Sequence, residues 1–286
     1  MNGAPPPAEA APVPSGRPPL REIIRRHRLS ADKRFGQHFL LDLNLTARIA
    51  RAAGDLSAGT TIEVGPGPGG LTRALLDAGA ARVIAIEKDA RCIDALGELS
   101  AEAGARLEVV AGDALTIDAA RLGTPPRRIV ANLPYNVGTA LLIGWLRAID
   151  GFDSLTLMFQ KEVAARLAAP SGGRDYGRLS VLAQYQADVR ALFDIPARAF
   201  TPPPKVDSTV VRLIPRQVRE PIPDLAALEA VTAAAFGQRR KMLRASLKAL
   251  GRDPAALLAA AGLEPTARAE TIDVAGFAAL ARAYAG

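Results

Sequence analysis

The chain has 286 residues, of which 49% are hydrophobic and 23% charged, as in a folded globular protein with a sizeable core. Lysine plus arginine exceeds aspartate plus glutamate by 36 − 29 = 7, and this positive charge favours a polyanionic partner. One cysteine, Cys92, and two histidines, His27 and His38, exclude a disulfide framework and argue against a metal site. No apolar run is long enough to cross a membrane, and the single cysteine suits a reducing compartment. We expect a monomeric cytoplasmic protein without metal or membrane partner.

The first part of the chain reads as a tail followed by a short helix. Residues 1–19 are rich in proline and alanine, a composition typical of disorder. They lack the apolar core of a secretory signal. Five arginines follow between positions 17 and 28, so an organellar transit peptide is the alternative. Residues 20–28 predict a short basic helix.

From Thr60 onward, strand-like runs alternate with helical patterns such as Gly70–Asp77 and 89–99. The strand candidates are 61–64, 82–87, 107–111, 128–131 and 155–159. This alternation predicts an α/β fold with a mostly parallel, doubly wound sheet. Two later runs, 179–189 and 208–214, are expected to close the sheet as an antiparallel pair.

The composition shifts to proline and charge around 216–223, which predicts a linker. Every later segment has a helical pattern, broken at Gly251 and Gly262. We therefore predict a catalytic domain over 20–217 and a small all-helical domain over 222–286.

A glycine-rich turn follows the first strand candidate and opens a helix. Gly65, Gly67 and Gly70 fit the pattern G-x-G-x-x-G, which allows a sharp turn and close approach of an adenosine cofactor. Pro66 and Pro68 lack the N–H groups that a pyrophosphate would need. This favours S-adenosylmethionine over a nicotinamide dinucleotide. The alternative is a tight turn without a ligand.

Two carboxylates end the next strand candidates. Glu87 lies 22 residues after Gly65, where an acid can accept both hydroxyl groups of a ribose. Asp113 ends the third strand candidate, close to where an adenine would lie. Capping of the following helix is an equally good interpretation of Asp113.

The run Asn132-Leu133-Pro134-Tyr135 follows the strand candidate 128–131. A carboxamide, a carbonyl ahead of proline and an aromatic ring at one strand end can hold a flat base that carries an exocyclic amine. The two oxygens would accept the N–H groups of the amine, and the ring would stack on the base. A rigid turn is the alternative.

In chain order, these motifs resemble those of the ribosomal RNA adenine N6-dimethyltransferases, and in particular the bacterial small-subunit enzymes. The resemblance spans nearly the whole chain after the tail. It is carried by 33–40, 63–67, 132–135, 160–163, 176–181, 200–213 and 236–246. The three consecutive prolines within 200–208 are the most specific part. One departure is His38, where the family commonly has asparagine. His38 stays a candidate for cofactor binding, with a simple loop histidine as the alternative.

The resemblance implies a Rossmann-like class I methyltransferase sheet of seven strands with a helical C-terminal domain. It implies that S-adenosylmethionine is bound by His38, Leu40, Gly65, Gly67, Glu87, Asp113 and Asn132. The N6 amine of an adenine would be bound by the Asn132 side chain and by the carbonyl of Leu133 or Pro134. Tyr135 would stack on one face of the base, and Phe200 is the candidate for the other.

The implied substrate is a pair of adjacent adenosines in the 3′-terminal hairpin of 16S rRNA within the 30S subunit. A helix is predicted to begin at Phe236, with Arg240, Arg244 and Lys248 on one face. The RNA-binding candidates are Lys205, Arg239, Arg240, Lys241, Arg244 and Lys248, and a solvated basic face is the alternative. Rival functions are a 23S rRNA methyltransferase of the erythromycin-resistance type, an assembly factor with dispensable catalysis, and a nicotinamide oxidoreductase.

Overall fold

The computed structural model describes residues 16–31 and 36–286. Most of the predicted tail and the first three residues of the 33–40 motif therefore lie outside the described residues. The helices are α1 Leu20–Arg26, α2 Leu43–Ala52, α3 Gly70–Asp77, α4 Ala90–Ala103, α5 Gly138–Arg147, α6 Lys161–Ala168, α7 Arg178–Gln186, α8 Leu225–Gly237, α9 Leu243–Ser246, α10 Pro254–Ala261 and α11 Val274–Ala285. The strands are β1 Phe39–Leu40, β2 Thr60–Val64, β3 Val83–Glu87, β4 Leu107–Ala111, β5 Arg127–Asn132, β6 Ser154–Gln160, β7 Ala187–Ile195, β8 Phe200–Thr201 and β9 Ser208–Pro215.

Seven strands form one twisted sheet in the order β4-β3-β2-β5-β6-β9-β7. The five strands from β4 to β6 are parallel, and β9 pairs antiparallel with both β6 and β7. The strand order reverses direction at β2, between β3 and β5. In such a sheet the groove beyond the carboxyl ends of the strands at this point is the usual ligand site. The predicted α/β fold and the antiparallel closure are confirmed.

The prediction of one strand over 179–189 is wrong. Helix α7 occupies Arg178–Gln186, and strand β7 begins only at Ala187. Residues 180–183 are all buried, and a mostly buried helix shows no clear amphipathic period by which its sequence could be distinguished from that of a strand. At its start, the Ser180 Oγ accepts the Gly177 N–H at 3.0 Å, which stabilises the helical turn.

The prediction that a helix begins at Phe236 is also wrong. Phe236 lies at the end of α8, residues 238–241 form a turn, and α9 begins at Leu243. The N–H of Leu243 donates to the Ala267 carbonyl at 2.8 Å, so a tertiary contact fixes where the helix starts. Arg240, Arg244 and Lys248 therefore do not share one continuous helix.

The helical C-terminal segment shares a core with the sheet. A single apolar cluster joins sheet residues such as Leu157 to Leu228 and Phe277 of the C-terminal helices. Phe236 stacks on Phe277 with ring centroids 5.4 Å apart and meets the edge of Tyr176 at 6.0 Å. The predicted division at 217–222 thus separates two kinds of secondary structure but not two cores.

Candidate cofactor and substrate site

A cleft opens at the carboxyl ends of β2 to β5 and encloses about 1190 Å³ including its mouth. All the predicted cofactor and catalytic residues except Phe200 line it. They are His38, Leu40, Gly65, Gly67, Glu87, Asp113, Asn132, Leu133, Pro134 and Tyr135. The structure therefore brings together residues that lie up to 97 positions apart between His38 and Tyr135.

The glycine turn forms the floor of this cleft. Gly65 and Gly67 have positive φ angles of 69° and 55°, which side chains rarely adopt. A Cβ atom at Gly67 would lie 3.2 Å from the ring of Phe39, so the turn and the β1 segment leave little room for a side chain. Between these glycines, Pro66 contributes no N–H. The floor is thus suited to a ligand without phosphate groups.

Glu87 is fixed beneath the turn by backbone hydrogen bonds. Its Oε2 accepts the Gly67 N–H at 3.0 Å, and its Oε1 accepts those of Lys88 and Asp89 at 2.8 and 2.9 Å. Burial raises the pKa of Glu87, whereas these three N–H groups lower it. Such hydrogen bonds favour the ionised carboxylate.

Asp113 lines the cleft and caps the turn that follows β4, and binding of an adenine amine remains its predicted second role. Its Oδ1 accepts the Leu115 N–H at 3.0 Å, which caps the next turn, and its Oδ2 pairs with Lys88 Nζ at 2.7 Å. The Lys88 ammonium lowers the pKa of Asp113. This carboxylate is therefore ionised at neutral pH and is oriented along the wall of the cleft.

Asn132, His38 and Tyr135 are connected by hydrogen bonds and ring contacts. Asn132 Nδ2 donates to the His38 carbonyl at 3.1 Å, which leaves Oδ1 as the acceptor of the amide. His38 Nδ1 lies 2.7 Å from the Pro202 carbonyl, so Nδ1 is the protonated nitrogen. The His38 ring is 5.3 Å from that of Tyr135, whose hydroxyl pairs with Ser208 Oγ at 2.7 Å.

The backbone of the 132–135 turn distinguishes between the two candidate carbonyls. The Pro134 carbonyl accepts the N–H groups of Val137 and Gly138 at 3.2 and 2.9 Å. It is therefore used to start helix α5. The Leu133 carbonyl receives no such bond from the described residues, so it is the better second acceptor for an amine.

Phe200 is placed differently from what we expected. It is 2% exposed, pairs with Leu40 across the β1–β8 ladder and packs in an apolar cluster beneath β1. It does not line the cleft, so neither ring face is available to a base in this structure. Its packing supports β1 and hence the position of Leu40.

Glu63 is a site residue that the motif analysis passed over. It is 1% exposed, lines the cleft, and its Oε2 has no hydrogen-bond partner among the described residues. Burial, together with the negative charge of the nearby Glu87, raises the pKa of Glu63 to about 8. The available signal in the sequence was an acid within the strand candidate 61–64, because an acid is rarely buried in a strand without a partner.

The predicted RNA-binding residues lie outside the cleft. Lys205 is exposed on the segment between β8 and β9, and the rest lie on the turn after α8 and on the following helical turns. The exposed cations of this second group are Arg239, Arg240, Lys241, Arg244 and Lys248. Arg239 also donates to the Arg174 carbonyl at 2.5 Å, which ties the turn to the loop before α7.

Two kinds of feature are missing from the described residues. None of their helices is long and apolar enough to cross a membrane. Their histidine, cysteine, aspartate and glutamate side chains form no group that could hold a metal ion.

Comparison with known proteins confirms the resemblance drawn from the motifs. A curated relative from Rhodospirillum rubrum, named Ribosomal RNA small subunit methyltransferase A, is 65% identical over 268 residues, which cover 94% of this chain and 93% of the relative. A relative of the same name from Paramagnetospirillum magneticum is 64% identical and covers 93% and 94%.

Solved structures show the same similarity at the level of the fold. A dimethyladenosine transferase from Plasmodium falciparum has a TM-score of 0.73 at 26% identity, covering 85% of this chain and 96% of that one. The 23S rRNA methyltransferase ErmE has a TM-score of 0.64 at 27% identity, covering 87% and 100%. The sequence model of the family described as Ribosomal RNA adenine dimethylase matches residues 28–285. This chain therefore belongs to the ribosomal RNA adenine dimethylase family.

Proposed function

We propose that the protein dimethylates N6 of two adjacent adenosines in the 3′-terminal hairpin of 16S rRNA, with S-adenosylmethionine as the methyl donor. The 30S subunit is the proposed substrate particle, and the protein is proposed to act as a cytoplasmic monomer. The observation that carries the proposal is the shared cleft, in which the acceptors of Asn132 and Leu133 lie beside the Gly65–Gly67 turn. The names of the curated relatives support the choice of small-subunit RNA.

The residues of the cleft fit a sulfonium cofactor. The turn at Gly65 and Gly67 excludes side chains, Glu87 provides a fixed carboxylate for ribose hydroxyl groups, and Asp113 provides an acceptor for the adenine amine. Leu40 and His38 would close the cleft on the opposite side. When bound, the cofactor supplies an electrophilic methyl group.

The chain contributes orientation of the target amine. Asn132 Oδ1 and the Leu133 carbonyl would accept its two N–H bonds, which draws the nitrogen lone pair out of conjugation with the ring. Tyr135 would stack on the base, which has to leave its helical stack to enter the cleft. Positioning and electrostatics then provide the rate enhancement. The proton of the methylated amine passes to solvent, so no side chain is assigned as a general base.

The same arrangement permits a second transfer. A monomethylated amine keeps one N–H, which either oxygen can accept after rotation about the C6–N6 bond. A site built from acceptors alone therefore does not exclude the first product. This explains how one cleft can produce the dimethylated base.

The exposed cations after α8 are proposed to hold the RNA backbone. Arg240, Lys241 and Arg244 are exposed and form no ion pair with any described residue. Arginine forks suit phosphate oxygens and the backbone of A-form RNA. Arg239 is partly committed to the Arg174 carbonyl, so its proposed role combines RNA contact with fixing of the turn.

Methyl transfer to ribosomal particles is the direct test. Isotopically labelled S-adenosylmethionine is incubated with the protein and with 30S particles that lack the modification, and the labelled nucleoside is identified after digestion. We expect N6,N6-dimethyladenosine from 16S rRNA, with 50S particles as the control. Label in 23S rRNA would instead favour the function of the ErmE structure, and RNA binding without label would favour an assembly factor.

A further inference from the structure

The cleft contains more acidic groups than cations, and one of these acids, Glu63, has no role in the proposed function. Its described lining has three carboxyl groups, Glu63, Glu87 and Asp113, and one ammonium group, Lys88. Lys88 is paired with Asp113 at 2.7 Å. Among the described residues, no cation pairs with Glu63 or Glu87, which lie on the adjacent parallel strands β2 and β3.

The two unpaired acids differ in how their charge is stabilised. Glu87 accepts three backbone N–H bonds, from Gly67, Lys88 and Asp89. Glu63 Oε2 accepts none, although the residue is almost completely buried. Because hydrogen bonds to a carboxylate favour its charged form and burial disfavours it, a single proton shared by this pair belongs on Glu63.

The groups facing Glu63 do not compensate for its burial. Glu87 faces it from β3 with the same charge, and Thr72 faces it from α3 with a hydroxyl group that lowers the Glu63 pKa only in part. Thr72 Oγ1 and Glu63 Oε2 do not reach hydrogen-bonding geometry with each other. The other titratable groups of the lining are His38, Lys88, Asp113 and Tyr135, and none of them acts appreciably on the Glu63 pKa.

We propose that Glu63 is the counter-charge of the cofactor: it holds a proton in the cofactor-free protein and releases it to solvent when a ligand carrying a sulfonium charge binds. In this step the O–H bond of the carboxyl group breaks, its electron pair stays on the carboxylate, and the proton goes to the buffer. The inference rests on the proposed use of S-adenosylmethionine and adds a charge-sensing role to the same site.

The release has a defined dependence on pH. Burial places the pKa of Glu63 at about 8 in the free protein, and a bound cation lowers it. The complex then binds fewer protons than the free protein between these two pKa values, so cofactor affinity rises with pH in that window. The limit is about tenfold per pH unit, and the affinity levels off above pH 8, where Glu63 is already ionised.

The same charge distinguishes cofactor from product. S-adenosylhomocysteine has a neutral sulfur, so its binding would lower the pKa of Glu63 less. We expect S-adenosylmethionine to be favoured increasingly as the pH rises from 6 to 8. After methyl transfer, Glu63 would take up a proton again, and the affinity for S-adenosylhomocysteine would be lower than that for S-adenosylmethionine.

Isothermal titration calorimetry of the full chain measures how many protons are released when the cofactor binds. The binding heat of S-adenosylmethionine is measured at pH 7 in buffers of different ionisation enthalpy, for the wild type, Glu63→Gln and the control Glu108→Gln. Glu108 is an exposed acid of β4 that pairs with Arg82. The amino group of the ligand titrates near this pH with every protein. The informative quantity is therefore the difference in proton release between the wild type and each variant.

We expect the wild type and Glu108→Gln to release nearly one proton more than Glu63→Gln, and to release less with S-adenosylhomocysteine. Equal release from the wild type and Glu63→Gln would overturn the inference. So would ligand binding by the wild type without release of a proton. Failure of the wild type to bind either ligand would instead refute the cofactor assignment itself, and this inference with it.

Two measurements guard against a variant that folds poorly. The free wild type should lose thermal stability relative to Glu63→Gln as the pH rises from 5 to 8, because its raised pKa means that the folded state binds a proton that the unfolded state has lost. In wild-type protein with 13C-labelled glutamate carboxyl groups, one buried signal should move to its ionised position when S-adenosylmethionine is added at pH 7. A spectrum without this movement would contradict the proposal.

Discussion

The amide of Asn132 illustrates how one side chain is prepared for its role by its neighbours. Its Nδ2 is bound to the His38 carbonyl at 3.1 Å, and His38 is held through the Pro202 carbonyl at 2.7 Å. These contacts prevent the amide from turning over, so Oδ1 stays the acceptor. The His38 side chain thus links the segment before β1 to the segment after β8, next to the amide.

Asn132→Ala is expected to reduce methyl transfer by at least about 100-fold, a loss typical of removing an oriented polar group in an active site. Its affinity for 30S particles should change only a few-fold, because the proposed RNA-binding cations lie elsewhere. Single-turnover transfer and filter binding measure the two quantities. Asn44→Ala, on the exposed start of α2, serves as the control. Activity that survived in Asn132→Ala would refute the account of amine orientation.

At the scale of elements, the cleft depends on short segments that brace one another. The two residues of β1 pair with β8, Phe39↔Thr201 and Leu40↔Phe200, and this ladder holds Phe39 against the Gly67 turn. A Cβ atom at Gly67 would lie 3.2 Å from the Phe39 ring. The shape of the cofactor floor therefore depends on a strand more than a hundred residues away in sequence.

Gly67→Ala tests this bracing. Both Gly67 and Gly262 have positive φ, 55° and 65°, but a Cβ atom at Gly262 meets nothing within 4 Å. Alanine should cost each site about 1 kcal/mol of stability from its backbone conformation. Only Gly67→Ala should also weaken S-adenosylhomocysteine binding, by about tenfold or more. Thermal melting and calorimetry separate the effects, and an equal loss of binding in both variants would contradict the proposed floor.

At the scale of the whole molecule, one core connects the chemistry to the RNA-binding surface. The apolar cluster that includes Leu157 of the sheet extends to Phe277 in α11, and Arg239 is tied to the loop before α7. The turn proposed to bind RNA and the sheet that forms the cleft are therefore parts of one packed interior. The net charge of +7 adds long-range attraction for the substrate.

The double variant Arg240→Ala with Lys241→Ala is expected to weaken binding to 30S particles at least about tenfold at moderate salt. It should also reduce the slope of log affinity against log salt by up to about 2, since each lost phosphate contact contributes about 0.7 to 0.9. The matched control removes Arg51 and Arg121, two exposed cations on segments that lead into β2 and β5. Equal losses in the two double variants would indicate a nonspecific effect of charge.

The sequence by itself determined the chemistry, because the groups that carry it are local. The glycine turn, Glu87, Asp113 and the 132–135 run each lie at or just after the carboxyl end of a strand. Parallel strands bring their carboxyl ends to one edge of the sheet. The alternation of strands and helices in the sequence was likewise sufficient to predict the parallel part of the sheet. These features could be predicted because neighbouring residues create them.

Tertiary structure alone decided the features that depend on packing. Helix α7 is mostly buried and shows no clear amphipathic period, so its type could not be predicted from its own residues. The turn after α8 is fixed by the Leu243 bond to Ala267, and Phe200 is buried by the β1–β8 ladder. The pKa of Glu63 is raised because the folded chain buries this residue beside Glu87. In each case the cause is a residue distant in sequence, because burial and pairing are properties of the folded chain.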